Sequence, residues 1–161
     1  MGTLAEKYTE RIEKTFAKYE DKRSAIMPLL YIAQEEYGWV SDEGIAEVAE
    51  LCEIESTQVK SIAGFYTMYS EKRKGKYWLQ VCTDLPCALR GAEEFYQEML
   101  EVLNVEDGGT TKDGMFTVER VMCLAACDKA PMLQCNFHYH ENLDMKKMNQ
   151  LIAQWRVEAQ E

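Results

Sequence analysis

The chain has 161 residues, a length that fits one domain or one domain with a small helical extension. Its 18 basic against 28 acidic residues leave a net charge of −10, the wrong sign for meeting nucleic-acid phosphate or an anionic membrane surface. Hydrophobic residues make up 47%, no apolar run approaches the ~20 residues that span a bilayer, and Met1–Lys7 carries no basic-then-apolar secretory signal. A cytoplasmic protein without nucleic-acid partners or direct membrane insertion is expected.

The first seventy residues read as helices. Leu4, Tyr8, Ile12 and Phe16 recur near every fourth position and predict one amphipathic helix. After a polar break at Glu20-Asp21-Lys22, the stripe Ile26, Leu29, Leu30, Ala33 and Tyr37 predicts a second, stopped by Gly38. Ser41 is the expected N-cap of a third, carrying Ile45, Val48, Ala49 and Cys52. Ser56 is the expected cap of a fourth, through Val59, Ile62 and Ala63 towards Phe65-Tyr66. Residues 1–75 are therefore expected to form an N-terminal helical bundle, ending in the charged connector Glu71–Lys76.

Residues 76–161 change character. Tyr77–Cys82 alternates and is rich in strand formers. Ala88–Leu103 predicts a helix with Phe95, Tyr96, Met99 and Leu103 inward, and Gly108-Gly109 and Asp113-Gly114 mark a loop and turn. Met115–Val121, Pro131–Cys135 and Phe137–His140 are strand candidates, and Leu143–Val157 closes as a helix. The order β-α-β-β-β-α after a helical segment predicts an α+β fold of thioredoxin type.

Six cysteines are the informative feature, because disulfides are disfavoured in a reducing compartment. Cys82 and Cys87 enclose the four residues Thr83–Pro86, and Cys123 and Cys127 enclose Leu124–Ala126. Each pair follows a predicted strand, so two loops at one sheet end can gather four thiolates for a metal or cluster. Zinc knuckles favour C-x2-C, and a thioredoxin redox pair needs C-x-x-C, which this chain lacks. Burial of four small apolar side chains is the bland alternative.

Three stretches narrow this choice. They are Val81-Cys82-Thr83-Asp84-Leu85-Pro86-Cys87-Ala88-Leu89-Arg90-Gly91-Ala92, Thr110–Val118 and Val121-Met122-Cys123-Leu124-Ala125-Ala126-Cys127-Asp128-Lys129-Ala130-Pro131. With Gly64–Tyr69 ahead of them, they resemble, in order, the 24 kDa (NuoE-type) subunit family of respiratory NADH:quinone oxidoreductase, complex I. The resemblance implies a thioredoxin-like [2Fe-2S] ferredoxin domain behind the helical bundle. It implies one [2Fe-2S] cluster held by Cys82, Cys87, Cys123 and Cys127. FMN and NADH would be carried only by a partner, the flavin-bearing, NADH-oxidising subunit, and the chain would be catalytically incomplete alone. Localisation would be cytoplasmic or peripheral, on the cytoplasmic face of the inner membrane. The equivalent diaphorase subunit of an NAD-linked hydrogenase or formate dehydrogenase shares these motifs, and a free-standing thioredoxin-like ferredoxin is a further alternative. Two departures stand out: relatives often have Glu before the third ligand and Gly two residues after it, where this chain has Met122 and Ala125.

Cys52 and Cys135 read as core thiols. His138 and His140 alternate along one strand and read as a solvated hairpin edge. No Ser/His/Asp set, phosphate-binding loop or dinucleotide fingerprint is present, so no nucleotide chemistry of the chain's own is expected. Four thiolates in an acidic chain predict a potential in the lower half of the roughly −700 to +450 mV open to such clusters.

Overall fold

The computed structural model describes residues 2–159, and the chain divides into two compact units. The first ends at Arg73 and the second begins at Lys74.

In the first unit, α1 (Leu4–Lys7) and α2 (Thr9–Phe16) replace the single expected helix. The break falls at Tyr8, whose hydroxyl donates to Glu36 at 2.9 Å, while the Leu4 amide donates to Glu47 at 2.6 Å. Both Leu4 and Ile12 still reach the core, so the periodicity recorded burial correctly but not the interruption. A 3-10 turn (Lys22–Ala25) leads into α3 (Ile26–Tyr37), which stops at Gly38 in the left-handed conformation, φ 77°. The Ser41 hydroxyl accepts the Gly44 amide at 3.0 Å and starts α4 (Asp42–Cys52). A side chain at Gly44 would meet Ala33 and Tyr37 at 3.2 Å, so this glycine sets the close approach of α3 and α4. Ser56 is not the cap of α5 (Ser56–Phe65); Glu55 holds that position and makes no side-chain bond there. Gln34 bonds the Met68 carbonyl (3.1 Å) and the Ser70 amide (2.7 Å), pinning the segment after α5 onto α3. Leu29, Leu30, Ile32, Val48 and Val59 form the buried centre.

The second unit holds β1 (Tyr77–Cys82), α6 (Leu85–Ala88), α7 (Ala92–Leu103), β2 (Phe116–Val121), β3 (Leu133–Cys135), β4 (His138–His140) and α8 (Met145–Glu158). The sheet order is β2-β1-β3-β4. β1 and β2 are parallel, with Tyr77 opposite Phe116, and the other pairs are antiparallel. Tyr77, Leu79, Val81, Phe116, Val118 and Leu133 pack with Tyr96, Met99, Met148, Ile152 and Trp155 from α7 and α8. Tyr77 stacks on Trp155 at 5.3 Å. This two-layer α+β arrangement is the one the element order predicts.

Three local features differ from expectation. The helix expected from Ala88 to Leu103 is broken at Gly91 (φ 87°), which separates α6 from α7. β1 is buried at all six residues rather than alternately. Trp78 and Gln80 on its second face donate to Glu119 at 2.7 and 3.2 Å, and Lys74 pairs with the same carboxylate at 2.6 Å. These partners satisfy polar groups that would otherwise make burial costly. The β3–β4 turn takes in Phe137 as well as Asn136, both at positive φ (70° and 45°), so the strand expected from Phe137 begins at His138. The outer edge of β2 is closed by its own lead-in: Gly108 donates to Val118 (2.8 Å), Val118 to Gly109 (3.0 Å) and Thr111 to Phe116 (2.8 Å). Among the described residues no helix is long and apolar enough to cross a membrane.

Candidate metal centre

Because β1 and β2 are parallel and adjacent, the segments leaving them start at the same end of the sheet. Cys82 is the last residue of β1 and is buried. Asp84 accepts the Leu85 amide and Pro86 lies in the first turn, so α6 begins at once and carries Cys87 inward. Cys87 thus lies on a helical turn, where the sequence suggested a plain loop. Cys123 follows β2 by two residues and is exposed, and Cys127 opens a 3-10 turn (Cys127–Lys129) half-buried.

The four thiols form a continuous set. Cys82 and Cys127 both act electrostatically on Cys87, and Cys123 and Cys82 on Cys127, so the four thiols are neighbours. Cys82, Cys87, Ala92, Ala126, Ala130 and Met132 pack into one small cluster, flanked by Leu124 and Cys127. Burial pushes the Cys87 thiol up to about 12, and the neighbouring Cys82 and Cys127 thiols push the same way. Cys127 is also raised, first by desolvation and then by Cys123. A bound cationic centre reverses this, because a coordinating thiol is deprotonated outright.

Backbone and side-chain bonds fix the two segments to one another. The Thr83 amide donates to Val121 (3.2 Å), Cys82 to the Met132 carbonyl (3.4 Å), and Arg90 Nε to the Ala130 carbonyl (3.3 Å). The Ala125 amide donates to Cys123 Sγ at 3.3 Å. Ala125 has φ 57°, a conformation that favours glycine, so the departure noted in the sequence falls where the backbone is left-handed. The Tyr139 hydroxyl, from β4, donates to the Leu124 carbonyl at 2.8 Å. Leu85, Leu89 and Met122 are exposed around the thiols, at 70%, 81% and 78%.

All six cysteines are free. Cys52 is buried in the helical unit, where desolvation raises its thiol to about 11. Cys135 is buried between sheet and helices and is raised to about 12 by the same cause. His138 is exposed, but His140 is not the solvated edge residue expected. Its ring meets Trp155 edge-on at 5.3 Å, and desolvation followed by His138 lowers its pKa. Arg90, Ala125 and Tyr139 were absent from the sequence-based set of site residues. The Gly-to-Ala departure was a signal for Ala125, but nothing local announces a hydroxyl bond across fifteen residues.

Among the described residues no three His, Cys, Asp or Glu side chains surround a single point as one metal ion would require. A two-iron cluster asks for something else: thiolates in pairs, one pair per iron, with backbone donors to the sulfurs. Two cysteine pairs linked through Cys87 and Cys127, with an amide directed at Cys123, fit that donor chemistry.

An α+β layer of thioredoxin type with thiols on the segments leaving its parallel strands defines a class of small redox proteins. Comparison with known sequences makes the assignment specific. The chain belongs to the thioredoxin-like [2Fe-2S] ferredoxin family, whose sequence model matches residues 12–156. It is 43% identical over 149 residues to NADH-quinone oxidoreductase subunit 2 of Thermus thermophilus, covering 91% of this chain and 82% of the relative. It is 40% identical over 148 residues to the second E-type subunit of the NADH-quinone oxidoreductase of Rhizobium meliloti, covering 92% and 88%. Among solved structures, an NAD+-reducing [NiFe]-hydrogenase in the H2-reduced state aligns with a TM-score of 0.69 at 17% identity. That alignment takes in 80% of this chain and 22% of the hydrogenase chain, and is a likeness of fold. The family's cofactor is a [2Fe-2S] cluster.

Proposed function

We propose that Cys82, Cys87, Cys123 and Cys127 hold one [2Fe-2S] cluster, and that the chain is the electron-transfer subunit of an NADH:quinone oxidoreductase. The observation that carries this reading is the juxtaposition of two thiol pairs at the C-terminal ends of β1 and β2. Identity of about 40% over most of the chain to oxidoreductase subunits supports it. When bound, the cluster supplies one-electron chemistry. The chain's own part is to fix four thiolates, exclude water from Cys82 and Cys87, and direct an amide at Cys123.

The partner is the FMN-bearing, NADH-oxidising subunit, with which single electrons are exchanged. The exposed Leu85, Leu89 and Met122 give the thiol-bearing end an apolar rim suited to such a contact. Phe65, 77% exposed at the end of α5, is a second contact candidate. Within the assembly the chain sits on the cytoplasmic face of the inner membrane. The hydrogenase likeness, being one of fold, adds no weight to the hydrogenase reading.

The test is to load the full-length chain with iron and sulfide. It should bind two of each, become paramagnetic on one-electron reduction, and oxidise NADH only with the flavin subunit added. NADH oxidation by the chain alone, or an unchanged spectrum in Cys123→Ser, would contradict the proposal.

A further inference from the structure

We infer that Tyr139 is a positioning residue that tunes the Cys123 sulfur through a single peptide group. The Tyr139 hydroxyl donates to the Leu124 carbonyl at 2.8 Å, and the Ala125 amide donates to Cys123 Sγ at 3.3 Å. That carbonyl and that amide are the two ends of one planar, conjugated O=C–N–H unit. Donation to the oxygen draws electron density from the nitrogen and makes its hydrogen a stronger donor. Such cooperative strengthening amounts to roughly a tenth to a third per bond. The hydroxyl of a side chain on β4 therefore acts on a sulfur that it does not touch.

The rest of the geometry gives this relay its direction. The Ala125 amide faces back towards Cys123, two residues earlier, and the chain leaves that peptide in the left-handed conformation, φ 57°. Leu124 packs against the buried thiol cluster, so its peptide plane is anchored on one side by packing and on the other by the hydroxyl. Further along the loop, Asn142 donates to the Lys129 carbonyl at 2.7 Å and Leu143 to the Pro131 carbonyl at 2.9 Å. These bonds hold the strand carrying Tyr139 against the loop independently of the hydroxyl. Cys123 is the exposed member of the four thiols, so its sulfur has the least shielding from other groups. Donors to a cluster sulfur favour the more negative, reduced state, and hydrogen bonds to sulfur are among the determinants of potential. The relay thus raises the potential.

The relay requires that Cys123 be a ligand, as proposed above. Tyr139 is 48% exposed, and Tyr139→Phe removes one oxygen from a surface ring, so the fold should be kept. In the cluster-loaded full-length chain, an EPR-monitored redox titration of Tyr139→Phe should give a more negative midpoint. At the wild-type midpoint the reduced-to-oxidised ratio should fall about threefold, equivalent to ~28 mV at 59 mV per tenfold for one electron. Incorporation of 3,5-difluorotyrosine at the same position, measured at a pH where the phenol stays protonated, makes a stronger donor and should shift the midpoint the other way. Opposite shifts support the relay. An unchanged midpoint in both variants overturns it, as does a shift of the same sign in both. Should the Phe variant lose its cluster, the fluorinated chain alone decides, since its hydroxyl is intact. A wild-type spectrum in Cys123→Ser would instead remove the ligand assignment, a result separate from either outcome at Tyr139.

Discussion

Ala125→Gly should stabilise the protein, although it removes a methyl group from a folded chain. At φ 57° an L-residue with a Cβ is disfavoured by about 1–2 kcal/mol relative to the right-handed region, and glycine escapes that cost. Against this, glycine gives the unfolded chain more freedom to lose, about 0.4–1 kcal/mol. Ala125 is exposed, so its methyl contributes no core packing that would tip the balance back. The net gain is about 0.5–1 kcal/mol, or a melting temperature about 1–4 °C higher for a chain of this size. Urea unfolding followed by circular dichroism should move the midpoint upward at unchanged slope. Ala125→Val should move it down, because a branched Cβ suits this conformation least. A destabilised glycine variant would refute the reasoning, and would mean that the loop needs the stiffness of alanine more than relief from its strain.

Gly91→Ala should cost about 0.5–1 kcal/mol, the backbone strain at φ 87° less the unfolded-state freedom that alanine removes, since nothing crowds the new methyl; thermal unfolding checks it. Cys135→Ala should cost about 1 kcal/mol yet leave the cluster's absorbance and EPR intact, and loss of the cluster would place Cys135 in the site. The Glu36 carboxyl is held below 4.5, first by the Lys7 hydrogen bond and then by Tyr8, so its stabilisation is present above pH 4.5 and is lost as pH falls through the depressed value. Lys7 is raised above 10.5 by the same Glu36 contact, so that contribution is present below pH 10.5 and is lost as pH rises through the raised value. Glu36→Gln should therefore flatten both the acid and the alkaline arm of stability against pH, as measured by urea midpoints across the range.

Much of this architecture was legible because burial is periodic. The stripe from Ile26 to Tyr37, the stop at Gly38 and the Ser41 cap are local signals, and all three hold in the structure. The α+β class followed from the order of the elements, while the sheet order β2-β1-β3-β4 came only from the structure. The misses have non-local causes. Tyr8 keeps helical periodicity yet interrupts the helix, and its hydroxyl partner, Glu36, lies on α3. The full burial of β1 depends on Glu119, a residue forty-one positions from Trp78, accepting the indole. Gly91 was visible as a residue, but only its left-handed φ reveals that α6 and α7 are separate. At the candidate site, cysteine spacing pointed to the four thiols. The supporting bonds of Arg90 and Tyr139 cross between segments, and no short-range pattern encodes them.

The sealing of β2 by residues 108–111 bears on how the molecule avoids unwanted company. Neighbouring copies commonly associate by extending a sheet at an unpaired border, and here one border already has its ladder filled from within the chain. The opposite border, β4, offers three residues, too short a template for durable pairing. A protein meant to sit inside a larger machine is thereby discouraged from polymerising with itself while it waits for its assembly.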